Sequence, residues 1–228
     1  MGKTSDPVRE LASGRSLTDF AYDMIKKRIL DLTYPPGSFL TEASLAEELA
    51  TSRMPIRMAV RRLENEGWLI ADFRKKTRVK DITRKDVLEI YQLRNLLESN
   101  ALKLIFDLKK TWAYSHRIEE KVVRMKAAQK DLYEWERTDT ELHMEIVSVY
   151  ENERINRIYR SNQDELIRIG LLSEKKERHV QEIIAGLYRF VEAVRGDHFL
   201  EAMEILKRDH LEAGQDMALA KIPWHGEE

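Results

Sequence analysis

The residues of this 228-residue chain best suited to chemistry include a carboxylate and an imidazole four positions apart, Asp139 and His143. At this spacing the two side chains share one face of a helix. Carboxylate oxygen and imidazole nitrogen are both ligands for divalent metals such as zinc. The pair therefore predicts the start of a metal site in a helical bundle, an ordinary helix-face pair, or part of a metal-free pocket in which Arg94 binds a carboxylate.

A second group is a row of arginines in the stretch TSRMPIRMAVRRLENEGWL, residues 51–69. Arg53, Arg57 and Arg61 lie along one flank of a helix, because each is four residues from the next. Arginine can grip guanine or phosphate through two nitrogens at once. The row therefore predicts a nucleic-acid contact, with a solvated face of an ordinary helix as the alternative.

The charge distribution supports the nucleic-acid interpretation. Residues 53–80 contain nine Lys/Arg and three Asp/Glu, a net charge of +6, whereas residues 81–228 contain 24 bases and 29 acids, a net charge of −5. Such asymmetry suggests that only the first part meets a polyanion.

Several function classes are disfavoured by what the sequence lacks. Cysteine is absent, which excludes disulfides, thiol nucleophiles and cysteine-bound zinc. Phosphate-loop, dinucleotide-binding, nucleophile-elbow and di-iron bundle motifs are also absent, so we expect no enzyme. The start of the chain has no signal-peptide pattern, and no run of about 18 apolar residues occurs, so we expect a cytoplasmic protein without membrane contact.

The arginine row must be positioned by elements within the first 80 residues. Apolar residues recur at helical spacing from Leu17 to Leu32, and TYPPGSF then ends this first helix. A second short helix is predicted from Thr41. Ser52 can cap a third helix, with Pro55 in its first turn, where a missing N–H costs little. Its apolar stripe, which fixes the buried side, is Ile56, Ala59, Val60 and Leu63.

The pattern changes to strands after Gly67. The segments WLIADF and RVKDI, joined by RKKT, predict a hairpin with a basic tip. Helix, helix-turn-helix and hairpin in this order describe a winged helix, whose third helix can enter the major groove while the wing reaches the backbone or minor groove.

The rest of the chain, up to Pro223, contains no proline and little glycine, which predicts an all-helical bundle of about six helices. Thr83 can cap the first of these. The others are predicted at about 113–129, 133–150, 153–172, 177–195 and 198–220.

The first part resembles the winged-helix head of the GntR family of bacterial transcription regulators. The matching pieces are the P-P-G entry, L-T-E-x-x-L-A, S-R-x-P-I-R and R-L-x-x-E-G-W, within roughly residues 17–82. The resemblance implies that Arg53 and Arg57 contact DNA, with Ser52, Met54 and Pro55 close to it. Met54 departs from the usual threonine, and the wing tip RKKT lacks a common glycine.

The second part resembles the FadR-type C-terminal domain, which binds ligands and dimerises in many GntR-family regulators. The resemblance is carried by YQLRNLLESNA (91–101), by DTELHMEIVSVYENERI (139–155), by FVEAVRGD (190–197) and by HL at 210–211. Many members complete a metal site with two further histidines. His210 fits one of them, two residues further from the Gly196-Asp197 turn than the family pattern; Leu187, with Tyr188 beside it, occupies the position of the other.

Together these observations predict a mainly α protein: an arm at 1–16, a winged helix with a small β-hairpin at 17–82, a helical effector and dimerisation domain at 83–222, and a tail at 223–228. The predicted function is a ligand-controlled transcription regulator, most simply a repressor, acting as a homodimer on a palindromic double-stranded operator. The alternatives are an all-helical metal-dependent enzyme, or an RNA- or protein-interaction module with a basic head.

The predicted site residues fall into two sets. The expected DNA-binding residues are Thr41, Ser52, Arg53, Met54, Pro55, Arg57, Arg61, Lys75, Lys76, Thr77 and Arg78. The expected binding residues for a small, organic-acid effector are Arg94, Asp139, His143, Tyr188 and His210, of which Asp139, His143 and His210 are also candidate ligands of a divalent metal such as zinc.

Overall fold

A computed structural model describes residues 16–72, 76–173 and 177–222, with the backbone alone at 177 and 178. The chain divides into two compact units, one ending at Asp81 and the other beginning at Ile82. Residues 1–15 of the arm expected at 1–16, the tail at 223–228 and the predicted DNA contact Lys75 lie outside the described residues.

Within its described residues, the first unit contains three helices and three short strands. The order is α1 Leu17–Leu30, β1 Phe39–Thr41, α2 Glu42–Glu48, α3 Arg53–Asn65, β2 Leu69–Asp72 and β3 Lys76–Val79.

Local sequence signals explain where these helices begin and end. Thr41 starts α2 with a capping box, in which its hydroxyl accepts from the Ser44 amide at 3.1 Å. Ser52 is the N-cap of α3, although its hydroxyl makes no capping hydrogen bond. Gly67 follows the end of α3 with a φ of +80°, a conformation that glycine adopts without strain.

The sheet is larger than the hairpin that we predicted. Its strands are antiparallel in the order β1-β3-β2, with Leu40 opposite Thr77 and Ala71 opposite the same residue on the other side. β1 leaves no alternating pattern in the sequence, because it contains only three residues. The predicted turn RKKT was wrong for Lys76 and Thr77, since both lie in β3.

The core of the first unit fixes the orientation of α3. The stripe Ile56, Ala59, Val60 and Leu63 is at most 5% exposed. It packs with buried residues of α1, of α2 and of the C-cap of α2, including Phe20, Ile25, Ile29, Leu45 and Leu49.

All the regular elements among the described residues of the second unit are helices, which confirms the predicted fold class. Its elements are α4 Arg84–Asp107, α5 Thr111–Ala127, α6 Leu132–Val147 with a 3-10 turn Ser148–Tyr150, α7 Glu153–Ser161, α8 Gln163–Leu172, α9 Glu177–Arg195, α10 Phe199–Glu204, a π-helical segment Ile205–Glu212, and α11 Ala213–Leu219.

Two predicted helices differ from the structure. The helix expected at 153–172 divides at Asn162. The side-chain amide Nδ2 of Asn162 donates to the Ile158 carbonyl oxygen at 2.6 Å and so competes with backbone N–H groups for that carbonyl. The helix expected at 198–220 contains the π-helical segment, which periodicity does not reveal. A central core from α4, α5, α6, α9 and α10 still forms, around Trp135, Phe190 and several aliphatic side chains.

None of the described helices combines the length and apolar character needed to cross a bilayer.

The two N-caps of the first unit provide a test of this structure. Thr41→Ala removes the capping box and is expected to lower the local opening free energy of α2 by about 1 kcal/mol. Amide exchange in α2 should then be roughly fivefold faster. Ser52→Ala, which removes no capping hydrogen bond, should change exchange in α3 much less. Hydrogen exchange read by mass spectrometry over α2 and α3 checks both; equal effects of the two substitutions would contradict the cap assignment.

Candidate nucleic-acid interface and ligand cavity

The outer side of α3 presents the predicted arginine row to solvent. Arg53, Arg57 and Arg61 are all exposed, since the apolar stripe occupies the opposite side of the helix. Arg62 lies elsewhere, as expected: its guanidinium stacks 3.8 Å from the centre of the Tyr22 ring and pairs with Glu66. The row is therefore a projecting cationic surface at the start and middle of α3.

Glu42, which the sequence analysis did not single out, holds the central arginine of this row. Arg57 donates from Nε to both Glu42 carboxylate oxygens at 3.1 Å and from Nη2 at 3.0 Å. The hydrogen bond from Arg57 lowers the pKa of Glu42, with smaller contributions from Arg61 and Arg53. The pair orients the Arg57 guanidinium, of which Nη1 takes no part in these bonds.

The remaining predicted DNA contacts are placed unequally. Ser52 and Met54 are exposed beside the row, whereas Pro55 is buried in the first turn of α3. Thr41 uses its hydroxyl in the cap of α2. These positions leave Ser52 and Met54 as the accessible neighbours of the arginines.

The described part of the wing also divides into exposed and buried residues. Lys76 is exposed, with its ammonium 6.0 Å from the centre of the Phe39 ring. Arg78 forms an ion pair with Asp81. Thr77 is only 5% exposed. Its hydroxyl lies within hydrogen-bond distance of two acceptors, the Glu64 carboxylate at 3.2 Å and the Ile70 carbonyl oxygen at 3.3 Å. The Thr77 side chain therefore does not belong to the exposed surface of the wing.

In the second unit, four of the five predicted effector-binding residues line a small cavity of about 50 Å³. Arg94 from α4, Asp139 and His143 from α6, and His210 from the π-helical segment all line it. Tyr188 does not; it lies in a separate groove beside Arg189, and Lys126 approaches its ring to 5.9 Å.

Glu98 on α4 organises the wall of this cavity, although the sequence analysis gave it no role. Its carboxylate is completely buried and accepts from Arg94 Nε at 2.8 Å and from Tyr159 Oη at 2.7 Å. His143 Nδ1 lies 2.6 Å from its other oxygen. Burial alone would raise the pKa of Glu98, but attraction to Arg94 and His143 outweighs it and lowers the pKa to about 2.

This arrangement determines which imidazole nitrogen is available. Because the ionised Glu98 carboxylate can only accept, Nδ1 of His143 is the donor in this contact. The other ring nitrogen, Nε2, lies 3.8 Å from Asp139 Oδ2 and is the atom that could bind a metal. The His210 ring centre is 6.1 Å from that of His143, and its buried Nε2 has no hydrogen-bond partner in the part of the chain that the structure describes. Burial and the nearby His143 lower the pKa of His210 to about 4, which keeps it neutral.

These atoms have the chemical character of metal ligands. Two imidazole nitrogens and a carboxylate suit zinc, and an orphaned buried nitrogen is the kind of atom that a ligand would satisfy. Within residues 16–72, 76–173 and 177–222, however, no three or more His, Asp or Glu side chains are already gathered for one ion. Leu187, at the position of the missing histidine, is fully buried in the core.

Glu98 generates a stability prediction. Glu98→Gln leaves the Arg94 charge buried without its counter-ion and is expected to lower the free energy of unfolding by about 3 kcal/mol. Glu89→Gln on the same helix removes a partner of Lys85 in a pair whose side chains are 64% and 77% exposed, and should cost less than about 0.5 kcal/mol. Urea unfolding followed by circular dichroism compares them, and similar losses would contradict the role of Glu98.

Comparison with known protein families gives two matches along the chain. Residues 17–79 match the family model described as bacterial regulatory proteins, gntR family, and residues 89–213 match that of the FCD domain. The second match alone covers more than half of the chain.

Individual relatives agree with these matches. An uncharacterized HTH-type transcriptional regulator, YdhC of Bacillus subtilis, is 43% identical over 86 residues, which is 38% of each protein. The Nta operon transcriptional regulator of Aminobacter aminovorans is 25% identical over 187 residues, covering 76% of this chain and 89% of the relative. The chain thus spans little more than a third of the length of the first relative and most of the second.

A solved structure supports the fold. A putative transcriptional regulator GntR from Rhodococcus sp. RHA1 superimposes with a TM-score of 0.71 at 19% identity, covering 90% of this chain and 99% of that one.

Proposed function

Because the chain belongs to the gntR family of bacterial regulatory proteins and carries an FCD domain, we propose that it represses transcription as a homodimer whose α3 helices read a palindromic operator. The observation that carries this proposal is the exposed row Arg53, Arg57 and Arg61, held outward by a stripe that is almost fully buried. The family is one of regulators, and we assign the chain no catalytic role. Its site of action is the bacterial cytoplasm, where the operator DNA is.

The groove contact follows from the chemistry of the row. An α-helix fits the major groove of B-DNA, and an arginine there can bind O6 and N7 of guanine, while neighbouring arginines neutralise phosphates. Arg57 is already oriented by Glu42, so less side-chain freedom is lost on binding. The hydroxyl of Ser52 at the start of α3 can add a phosphate contact. From the wing, Lys76 and Arg78 of β3 would meet the DNA backbone.

We propose that the cavity of the second unit binds a small organic acid. Arg94 lines the cavity, and its two terminal nitrogens make no hydrogen bond within the described part of the chain, since the bond to Glu98 uses Nε. A guanidinium with two parallel N–H donors matches a carboxylate. With a volume of about 50 Å³, the cavity would accept only a small acid unless the lining moves.

A divalent metal such as zinc is the second proposed ligand of this cavity. Asp139, His143 and His210 would hold it, with Glu98 fixing the ring of His143 from behind. The metal would supply a further positive charge for an anionic effector. His210 would then satisfy its buried Nε2, which has no other partner among the described residues.

Regulation requires that the effector bind one state of the protein more tightly than the other. If DNA-bound and DNA-free states differ in effector affinity by a given factor, the effector changes DNA affinity by the same factor. For a repressor, the effector prefers the DNA-free state and so releases the operator.

The groove contact is tested by comparing two arginines of one helix. Arg57→Ala is expected to weaken operator binding by about tenfold to a hundredfold, because it removes a bidentate base or phosphate contact. Arg62→Ala removes the same charge from α3 but from the side stacked on Tyr22, and should change affinity by less than about threefold. Gel-shift titration with an operator selected from random duplexes measures both, with thermal melts confirming folding.

Equal affinities of Arg57→Ala and the unsubstituted chain would refute the groove contact.

The metal proposal is tested on chelator-treated protein. Zinc uptake measured by equilibrium dialysis is expected in the unsubstituted chain and at least tenfold weaker in His143→Ala and in His210→Ala, because each removes one of only three ligands. His116→Ala, at an exposed histidine of the same unit, is the control. Thermal shifts with a panel of organic acids, with and without zinc, then test the effector. Unchanged zinc uptake in the first two variants would show that the metal binds elsewhere.

A further inference from the structure

Two large apolar side chains project from α3 into solvent. Met54 is 63% exposed and Met58 is 47% exposed, although the unit has a well-formed core. They are four residues apart and therefore neighbours on the helix surface. The arginine row gives no reason for apolar residues at these positions.

The direction of these methionines is set by helix geometry. At about 100° per residue, Met54 and Met58 lie roughly 150° to 170° around the helix from the centre of the buried stripe. They therefore point most directly away from the core, with Arg61 beside Met54 on one flank and Arg57 further round on the same flank. Whatever meets the outer face of α3 meets these methionines at its centre.

The surrounding charge identifies what that partner is. Arg53, Arg57 and Arg61 lie along one flank of the two methionines, and Glu42, which Arg57 holds, is the one carboxylate paired with this row among the described residues. A partner must then be anionic where it meets the arginines and apolar where it meets the methionines. The major groove fits, because phosphates line its edges and the C5-methyl of thymine is the apolar group on its floor.

We infer that Met54 and Met58 read thymine methyl groups, so that each operator half-site carries a thymine under each methionine. This inference rests on the proposed function and adds a base preference to it. A flexible thioether side chain can follow the position of a methyl group without strict hydrogen-bond geometry. The arginines then supply affinity and guanine or phosphate contacts, while the methionines discriminate thymine from cytosine.

The test replaces thymines by deoxyuridine, which lacks the C5-methyl but pairs identically. Full-length protein first selects a duplex from a random pool, and each thymine of the half-site is then substituted singly. At one or two positions the dissociation constant is expected to rise about threefold to fivefold, the effect of exposing one methyl group. Met54→Gln and Met58→Gln, of similar length but polar, should each abolish the effect at one of these positions, whereas Met54→Leu should retain it.

The outcomes separate this inference from the function beneath it. If a specific duplex is selected but deoxyuridine changes no dissociation constant, or changes it equally in the Gln variants, the methionine inference is wrong and the regulator proposal stands. If no sequence is enriched at all, the proposed function itself fails, and the inference with it.

Discussion

The surface that we propose to face DNA depends on the burial of one apolar stripe. Ile56, Ala59, Val60 and Leu63 are almost completely removed from solvent, and a helix turned by even one residue would expose part of this stripe. Because side-chain directions on a helix are coupled, this burial places Arg53, Arg57 and the two methionines on the outside. The recognition surface is therefore a geometric consequence of the core.

A buried charge plays the corresponding part in the helical unit. Glu98 is fully enclosed and ionised, which is tolerable only because Arg94, Tyr159 and His143 all direct polar groups at it. These contacts orient the side chains that reach the cavity. The same residues that keep the interior neutral thus define a potential site for an anion and a cation.

Much of the fold could be predicted from the sequence, because long helices have strong periodicity and recognisable caps. The start of α3 at Arg53, the proline in its first turn and the outward row were all accessible in this way. The three-residue strand β1 and the break at Asn162 were not, since neither leaves a periodic signal. The fold prediction was therefore right in class and wrong at short elements.

The site was harder to predict because its polar network joins distant parts of the chain. Helical spacing links Arg94 to Glu98, but nothing local shows that Glu98 meets His143, which is 45 residues away. Tyr188 was included through its neighbour Leu187 and lies in a different groove. His210 lies two residues further from the Gly196-Asp197 turn than in the family pattern. This difference was a signal in the sequence, because the π-helical segment that contains His210 departs from regular helical spacing.

The central claim is that α3 enters the major groove, and dimethyl sulfate footprinting of the complex with a selected operator tests it most directly. This reagent methylates guanine N7 in the major groove and adenine N3 in the minor groove. The account predicts protection of guanine N7 in both half-sites, and loss of protection at one guanine per half-site with Arg57→Ala. Protection confined to adenine N3, with every guanine N7 still reactive, would contradict it.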